Sequence, residues 1–222
     1  MANQQNAVII EPNHGHRATV IWLHGLGADG HDFVPIVPEL HIPQSLGVRI
    51  VFPHAPVRPV TINGGMSMRA WYDVRNTDLR SEEDAASIND SATIIEQYIA
   101  TEVNAGIHSE KIVLAGFSQG GAMALHTGLR QESRLGGILV LSGYLPLPER
   151  FREEVRISNK TVPIMMCHGT FDPVIPASAG KQSHDFLEQE GYMVSWHSYP
   201  MEHSVCLEEI QDAGTWLQSI LD

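Results

Sequence analysis

The stretch KIVLAGFSQGGAMALHTGLR, residues 111–130, decides how this chain is read. Its first five residues, Lys111 to Ala115, are apolar and strand-like, and its last nine, Ala122 to Arg130, have the composition of a helix. At the junction stands Ser118, with glycines two before it (Gly116), two after (Gly120) and three after (Gly121). Small residues there let the backbone make a sharp turn from strand into helix without a clash. The turn leaves the serine strained, with its Oγ exposed, and this is the demand behind G-x-S-x-G. The helix N-terminus also points backbone N–H groups at the place where an oxyanion would form. A chain this long contains the pattern by chance roughly once in fifteen. The strand before it and the helix after it supply the rest of the argument. A phosphate loop is the weaker reading, because the spacing is neither G-x-G-x-x-G nor G-x-x-x-x-G-K-[ST].

Working outward, short apolar runs recur at 18–23 (ATVIWL), 48–52, 136–142, 161–167 and 193–199. Most read as strands buried on both faces, the signature of a parallel sheet covered by helices. Between Ser81 and Gly106, Ile88, Ala92, Ile95, Ile99 and Val103 form one helical stripe, with S-E-E-D at its start and Gly106 as its stop. A last helix from about Ser204 aligns Cys206, Ile210, Ala213, Leu217 and Ile220. Alternating strands and helices predict an α/β, three-layer sandwich with a mostly parallel central sheet, as one domain over 1–222. The segment 57–80 stands apart. It carries N-G-G between two short runs, and it reads equally as a surface hairpin or as a loop bordering a site.

Bulk properties narrow the function. The formal net charge of −12 and the absence of a Lys/Arg cluster argue against nucleic-acid partners and anionic surfaces. No run of about 18 apolar residues is present, so stable membrane insertion is not expected. MANQQNAVII lacks the basic and apolar regions of a signal peptide, so a cytoplasmic protein is expected. Cys167 and Cys206 stand in no metal-ligand spacing and read as free thiols, with a lone disulfide the lesser alternative.

A nucleophilic serine needs a base and a group that orients it, here expected in the order Ser, Asp or Glu, His on loops at the strands' C-terminal ends. H-G-T-F-D-P-V-I-P follows one strand and offers Asp172; P-M-E-H-S follows another and offers His203. Other histidines fit less well. His14 and His16 fall in an N-terminal segment read as exposed, His126 and His184 within helices, His108 ahead of the serine's strand and His197 inside a strand, while His168 precedes the acid. Glu202 is adjacent to His203 and so badly placed to reach its far nitrogen, and Asp185 belongs to a helix. H-G-L-G-A-D-G (24–30) follows an early strand, where a second oxyanion donor is required, so Leu26 and Gln119 N–H form the expected pair. His24 reads as structural.

With HGLGADG, GFSQGG, HGTFDPVIP and EHS, together with MRAWYD (68–73) and LSGYLP (141–146), the chain resembles the type II carboxylesterase, acyl-protein thioesterase and lysophospholipase family. The resemblance runs from about Thr19 to the C-terminus. It implies an α/β-hydrolase without a large lid domain, acting on short- to medium-chain acyl esters with no metal or cofactor. It implies Ser118, Asp172 and His203 as triad, Leu26 and Gln119 as oxyanion donors, and Trp71 and Tyr144 as pocket wall. It also implies a small-molecule or lipid ester as substrate and a homodimer partly covering the active-site face. Thioesterase and lysophospholipase are the alternatives within the class, and a catalytically inactive binding module is the alternative outside it.

Overall fold

A computed structural model describes residues 6–77 and 81–222. The apolar runs become the strands of one seven-stranded sheet: β1 (Ala7–Ile10), β2 (Ala18–Leu23), β3 (Val48–Pro53), β6 (Ile112–Phe117), β7 (Gly137–Leu141), β8 (Ile164–Gly169) and β9 (Val194–Tyr199). β4 (Val57–Val60) and β5 (Met66–Arg69) form a separate antiparallel hairpin. The sheet order is β1-β3-β2-β6-β7-β8-β9, and every pairing is parallel except that of β1 with β3. The edge strand β1 has no counterpart in the sequence reading, because four half-buried residues give no clear period.

β2, β7 and β8 are buried from end to end, and β6 as far as Gly116, as strands covered on both faces must be. Alternate residues of β2 serve different cores. Ile21 and Leu23 pack with α1 (Ala85–Asn104), α2 (Gln119–Arg130) and α4 (Ala177–Gln189). Val20 and Trp22 pack with α5 (Leu207–Leu221) and the 3-10 segment Val34–Leu40. A fifth, four-residue helix, α3, spans Phe151–Glu154.

Two helical readings shift at their ends. Helix α1 is capped by Asp84, whose carboxylate accepts from Ser87 N–H, so S-E-E-D leads into the cap and the acids lie ahead of the first turn. Its stripe is buried at Ile88, Ala92, Ile95 and Ile99, while Val103 is 43% exposed beyond the neighbouring elements. In α5 the stripe continues to Leu221, with Ile220 only partly buried. Cys167 and Cys206 are both free.

Within the 57–80 segment β4 and β5 form a hairpin, and Ile62 and Asn63 of its turn line a cavity; positions 78–80 lie outside the described residues.

Candidate active site

At the junction of β6 and α2, Ser118 has φ 56° and ψ −121°, a region that non-glycine residues rarely occupy. Two backbone bonds hold it there: its N–H donates to Leu141 O at 2.8 Å, and its carbonyl accepts from Ala122 N–H at 3.0 Å. The flanking glycines are required by close approach. A Cβ on Gly116 would stand 2.3 Å from the Gly120 carbonyl, and one on Gly120 2.2 Å from Leu23 O. The first turn of α2 therefore lies directly on the ends of β2 and β6, and only hydrogen fits between.

Two loops bring the other groups to Ser118. Thr170 N–H donates to Tyr199 O at 2.8 Å and Phe171 N–H to Met201 O at 3.1 Å, so the loop after β8 and the loop after β9 run together. Asp172, 7% exposed, sits in the first, and its Oδ1 accepts from Val174 N–H (2.8 Å) and Ile175 N–H (2.9 Å). His203 sits in the second. Its Nδ1 lies 2.7 Å from Asp172 Oδ2 and its Nε2 lies 2.9 Å from Ser118 Oγ. A carboxylate only accepts, so Nδ1 carries the proton and Nε2 is left to accept from the serine hydroxyl. Three donors fix the carboxylate, the carboxylate fixes the imidazole, and the imidazole is set to take a proton from Oγ. Phe117 packs beside the ring, centroids 4.8 Å apart. His168 Nε2 meets Ile175 O at 2.9 Å, which gives that buried ring its own partner.

Leu26 and Gln119 line the same cavity as Ser118 and His203. Gln119 is the first residue of α2, where the backbone N–H has no intrahelical acceptor. His24 is structural: Nε2 accepts from Ala55 N–H (3.0 Å), Nδ1 meets Gly25 O (2.7 Å), and burial holds the ring's pKa below its usual value. His16 departs from its reading as exposed, for it is half-buried and contacts Thr19 Oγ1 at 2.8 Å and Glu102 at 3.3 Å.

The cavity measures about 600 Å³, within the range of roughly 300–1,000 Å³ that encloses a drug-sized ligand. Its wall is mostly apolar beyond the reacting groups, with Tyr72, Val74, Tyr144, Val174, Ile175 and Pro176 among its lining and Asp32, Asn63 and Thr77 as its polar members. Tyr144 lines the cavity. Trp71 does not, and the expectation that it forms pocket wall is corrected: it is fully buried, its indole donates to His24 O at 2.9 Å, and the neighbouring Tyr72 reaches the cavity instead. The pair lies in a bend past the end of β5, and spacing alone does not tell which of the two faces the cavity. Tyr72 and Tyr144 join hydroxyls at 3.0 Å, and burial pushes the Tyr72 phenol up. The P-V-I-P run after Asp172 carried a second signal that the sequence reading passed over, since apolar residues flanking a catalytic acid are placed to wall its cavity. Ile62, Phe171 and Val174 are exposed by 40%, 68% and 56%.

Two clusters of potential metal ligands occur among the described residues, Asp29–His31–His54 and His184–Asp185–Glu188. In the first, Gly30 N–H donates to His54 Nδ1 at 2.9 Å, which leaves the ring proton on Nε2. In the second, the Lys181 ammonium holds Asp185 at 2.7 Å and His184 Nδ1 at 3.0 Å. Neither is presented as a free donor set.

Residues 4–221 match the family model of phospholipases and carboxylesterases. The chain is 44% identical over 204 residues to acyl-protein thioesterase 1 of Neurospora crassa, covering 88% of this chain and 83% of that protein. It is 39% identical over 217 residues to the protein of the same name from Yarrowia lipolytica, covering 96% of each. Among solved structures it superposes on Arabidopsis thaliana SOBER1 with TM-score 0.88 at 32% identity, over 93% of this chain and all of that one. It superposes on Zea mays acyl-protein thioesterase 2 with TM-score 0.86 at 29% identity, over 97% and 99% of the two chains.

Proposed function

The chain belongs to the phospholipase/carboxylesterase family, an α/β-hydrolase fold without a large lid, and from that premise we propose that it cleaves acyl thioesters and oxoesters with Ser118 as nucleophile. The observation that carries the reading is the unbroken chain Asp172–His203–Ser118 opening into an apolar cavity. His203 Nε2 takes the hydroxyl proton as Oγ attacks the acyl carbonyl, and Asp172 stabilises the imidazolium. Leu26 and Gln119 N–H groups receive the oxyanion, each worth about 3 kcal/mol. The imidazolium then returns its proton to the departing thiol or alcohol. Water, deprotonated by His203, attacks the acyl-enzyme, and Ser118 Oγ leaves with the proton.

Relatives named acyl-protein thioesterase 1 favour a thioester on an acylated protein over the short-chain oxoester expected from the motifs. Ile62 and Val174, both exposed and both lining the cavity, suit that substrate, because a rim of apolar side chains receives an acyl chain whose leaving group stays outside. The same rim is the surface over which a homodimer would close, and sedimentation velocity at micromolar concentration tests that part of the proposal. For the reaction itself, p-nitrophenyl esters from acetyl to palmitoyl are compared with an S-acylated peptide, with Ser118→Ala alongside. Turnover of the peptide that disappears in the variant is expected. Activity confined to acetyl and butyryl esters would return the short-chain carboxylesterase reading, and turnover surviving in Ser118→Ala would overturn the nucleophile.

A further inference from the structure

Oxyanion stabilisation demands two donors held about 3 Å from the developing charge, and the donors here ride on different elements. Leu26 belongs to the loop after β2 and Gln119 to the start of α2. A third segment, Arg69–Tyr72 at the end of β5, is bonded to both. On the loop it grips either side of Leu26: Trp71 Nε1–H donates to His24 O at 2.9 Å, and Gly27 N–H donates to Arg69 O at 2.8 Å. On the helix it grips the Gln119 side chain. Oε1 accepts from Trp71 N–H at 2.7 Å, and Nε2 donates to Tyr72 O at 2.8 Å. The segment is anchored in turn, since Ser91 Oγ of α1 donates to Trp71 O and Arg69 Nη1 donates to Ala55 O at 2.8 Å. Trp71, Gln119, His24 and Ser91 are all buried, so the bonds made by the Trp71 indole, the Gln119 carboxamide and the Ser91 hydroxyl are shielded from solvent.

We propose that the Gln119 carboxamide and the Trp71 indole are positioning residues that set the distance between the two oxyanion donors, by tying both to the strand that returns from the cavity's hairpin. This rests on the reading of Ser118 as nucleophile. Gln119 then has two separable roles. Its backbone N–H meets the oxyanion, and its side chain never touches substrate but locks the place from which that N–H points. The hairpin tip that lines the cavity and the residues that grip the two donor-bearing elements are thereby two ends of one covalent run, residues 62–72.

Gln119→Glu tests the lock without removing the backbone donor. A protonated glutamic acid keeps both bonds, accepting from Trp71 N–H and donating to Tyr72 O. The carboxylate keeps the first and sets a negative charge against the Tyr72 carbonyl. The ratio of variant to wild-type kcat should therefore fall at least tenfold between pH 5 and pH 8, with KM within threefold, since a misplacement near 1 Å costs about a hundredfold. A ratio that does not change with pH would overturn the proposal, because a merely structural role is indifferent to that proton. Trp71→Phe keeps the ring and loses the N–H. It should lower kcat about tenfold or more and weaken a trifluoromethyl ketone inhibitor by the same factor, with KM little changed. Unchanged kcat, or a rise in KM alone, would contradict it. Ser118→Ala in the same assay separates the two levels: turnover persisting there defeats the nucleophile, whereas its loss together with a flat pH ratio defeats the positioning role alone.

Discussion

Gly120→Ala adds one methyl group at the tightest contact beneath the active site. Its Cβ would stand 2.2 Å from Leu23 O, 2.5 Å from Leu23 C and 2.7 Å from His24 O, all backbone atoms with no rotamer to yield. Ordinary van der Waals contact begins at 3.4 Å, so the first turn of α2 and the end of β2 must part by about 1.2 Å, the difference between 3.4 and 2.2. Gln119 N–H moves with the helix and Leu26 N–H with the loop from β2, so that displacement enters the proposed oxyanion hole undiminished. A misplacement near 1 Å costs about a hundredfold in rate, which is ~2.7 kcal/mol of barrier. Overpacking should lower stability by roughly 1–3 kcal/mol, and a domain of this length then loses about 2–4 °C in Tm for each kcal/mol. The variant should remain folded at 25 °C, because native stabilities run roughly 5–15 kcal/mol. The assay is kcat on p-nitrophenyl hexanoate, with thermal unfolding followed by circular dichroism. A folded variant with kcat within threefold of wild type would refute the claim that this contact sets the geometry of the site.

Asp172→Asn should reduce kcat about ten-thousandfold with little change in KM, because an amide at Oδ2 favours the wrong imidazole tautomer; steady-state kinetics on the same ester check it. Glu209, on α5, is fully buried with no side-chain partner for its carboxylate among the described residues, and the Cys206 backbone only partly offsets that burial. Burial raises its pKa from 4.5 to about 8. Between those values the folded chain holds a proton that the unfolded chain has released, so raising the pH favours unfolding. Its contribution is complete below pH 4.5 and lost as the pH rises through 8. Urea titrations should therefore show wild-type stability falling relative to Glu209→Gln across that window, and parallel curves would contradict it.

Much of the fold was legible because its strands are buried on both faces. GILVL is apolar throughout and ATVIWL is so except at Thr19, and a covered parallel sheet asks for such runs. The candidate site was legible for a steric reason: Gly116 and Gly120 stand where no Cβ fits, and Asp172 and His203 follow strands whose C-terminal ends face Ser118. What escaped the sequence lay in orientation and in surroundings. Trp71 and Tyr72 are equally aromatic, and the bond from the Trp71 indole to His24 O, unreadable from spacing, turns the first into the core and leaves the second to the cavity. His16 reads as surface until Thr19 and Glu102 are brought under it by folding. Val103 continues a perfect helical stripe past the point where α1 has anything to pack against.

The central claim is that His203 and Asp172 activate Ser118. Reaction of the folded protein with a fluorophosphonate, read by intact mass and peptide mapping, tests it most directly. The account predicts one adduct per chain, on Ser118, absent in Ser118→Ala and slowed by orders of magnitude in His203→Ala. No adduct on folded protein, or an adduct on another residue with Ser118 unmodified, would contradict it.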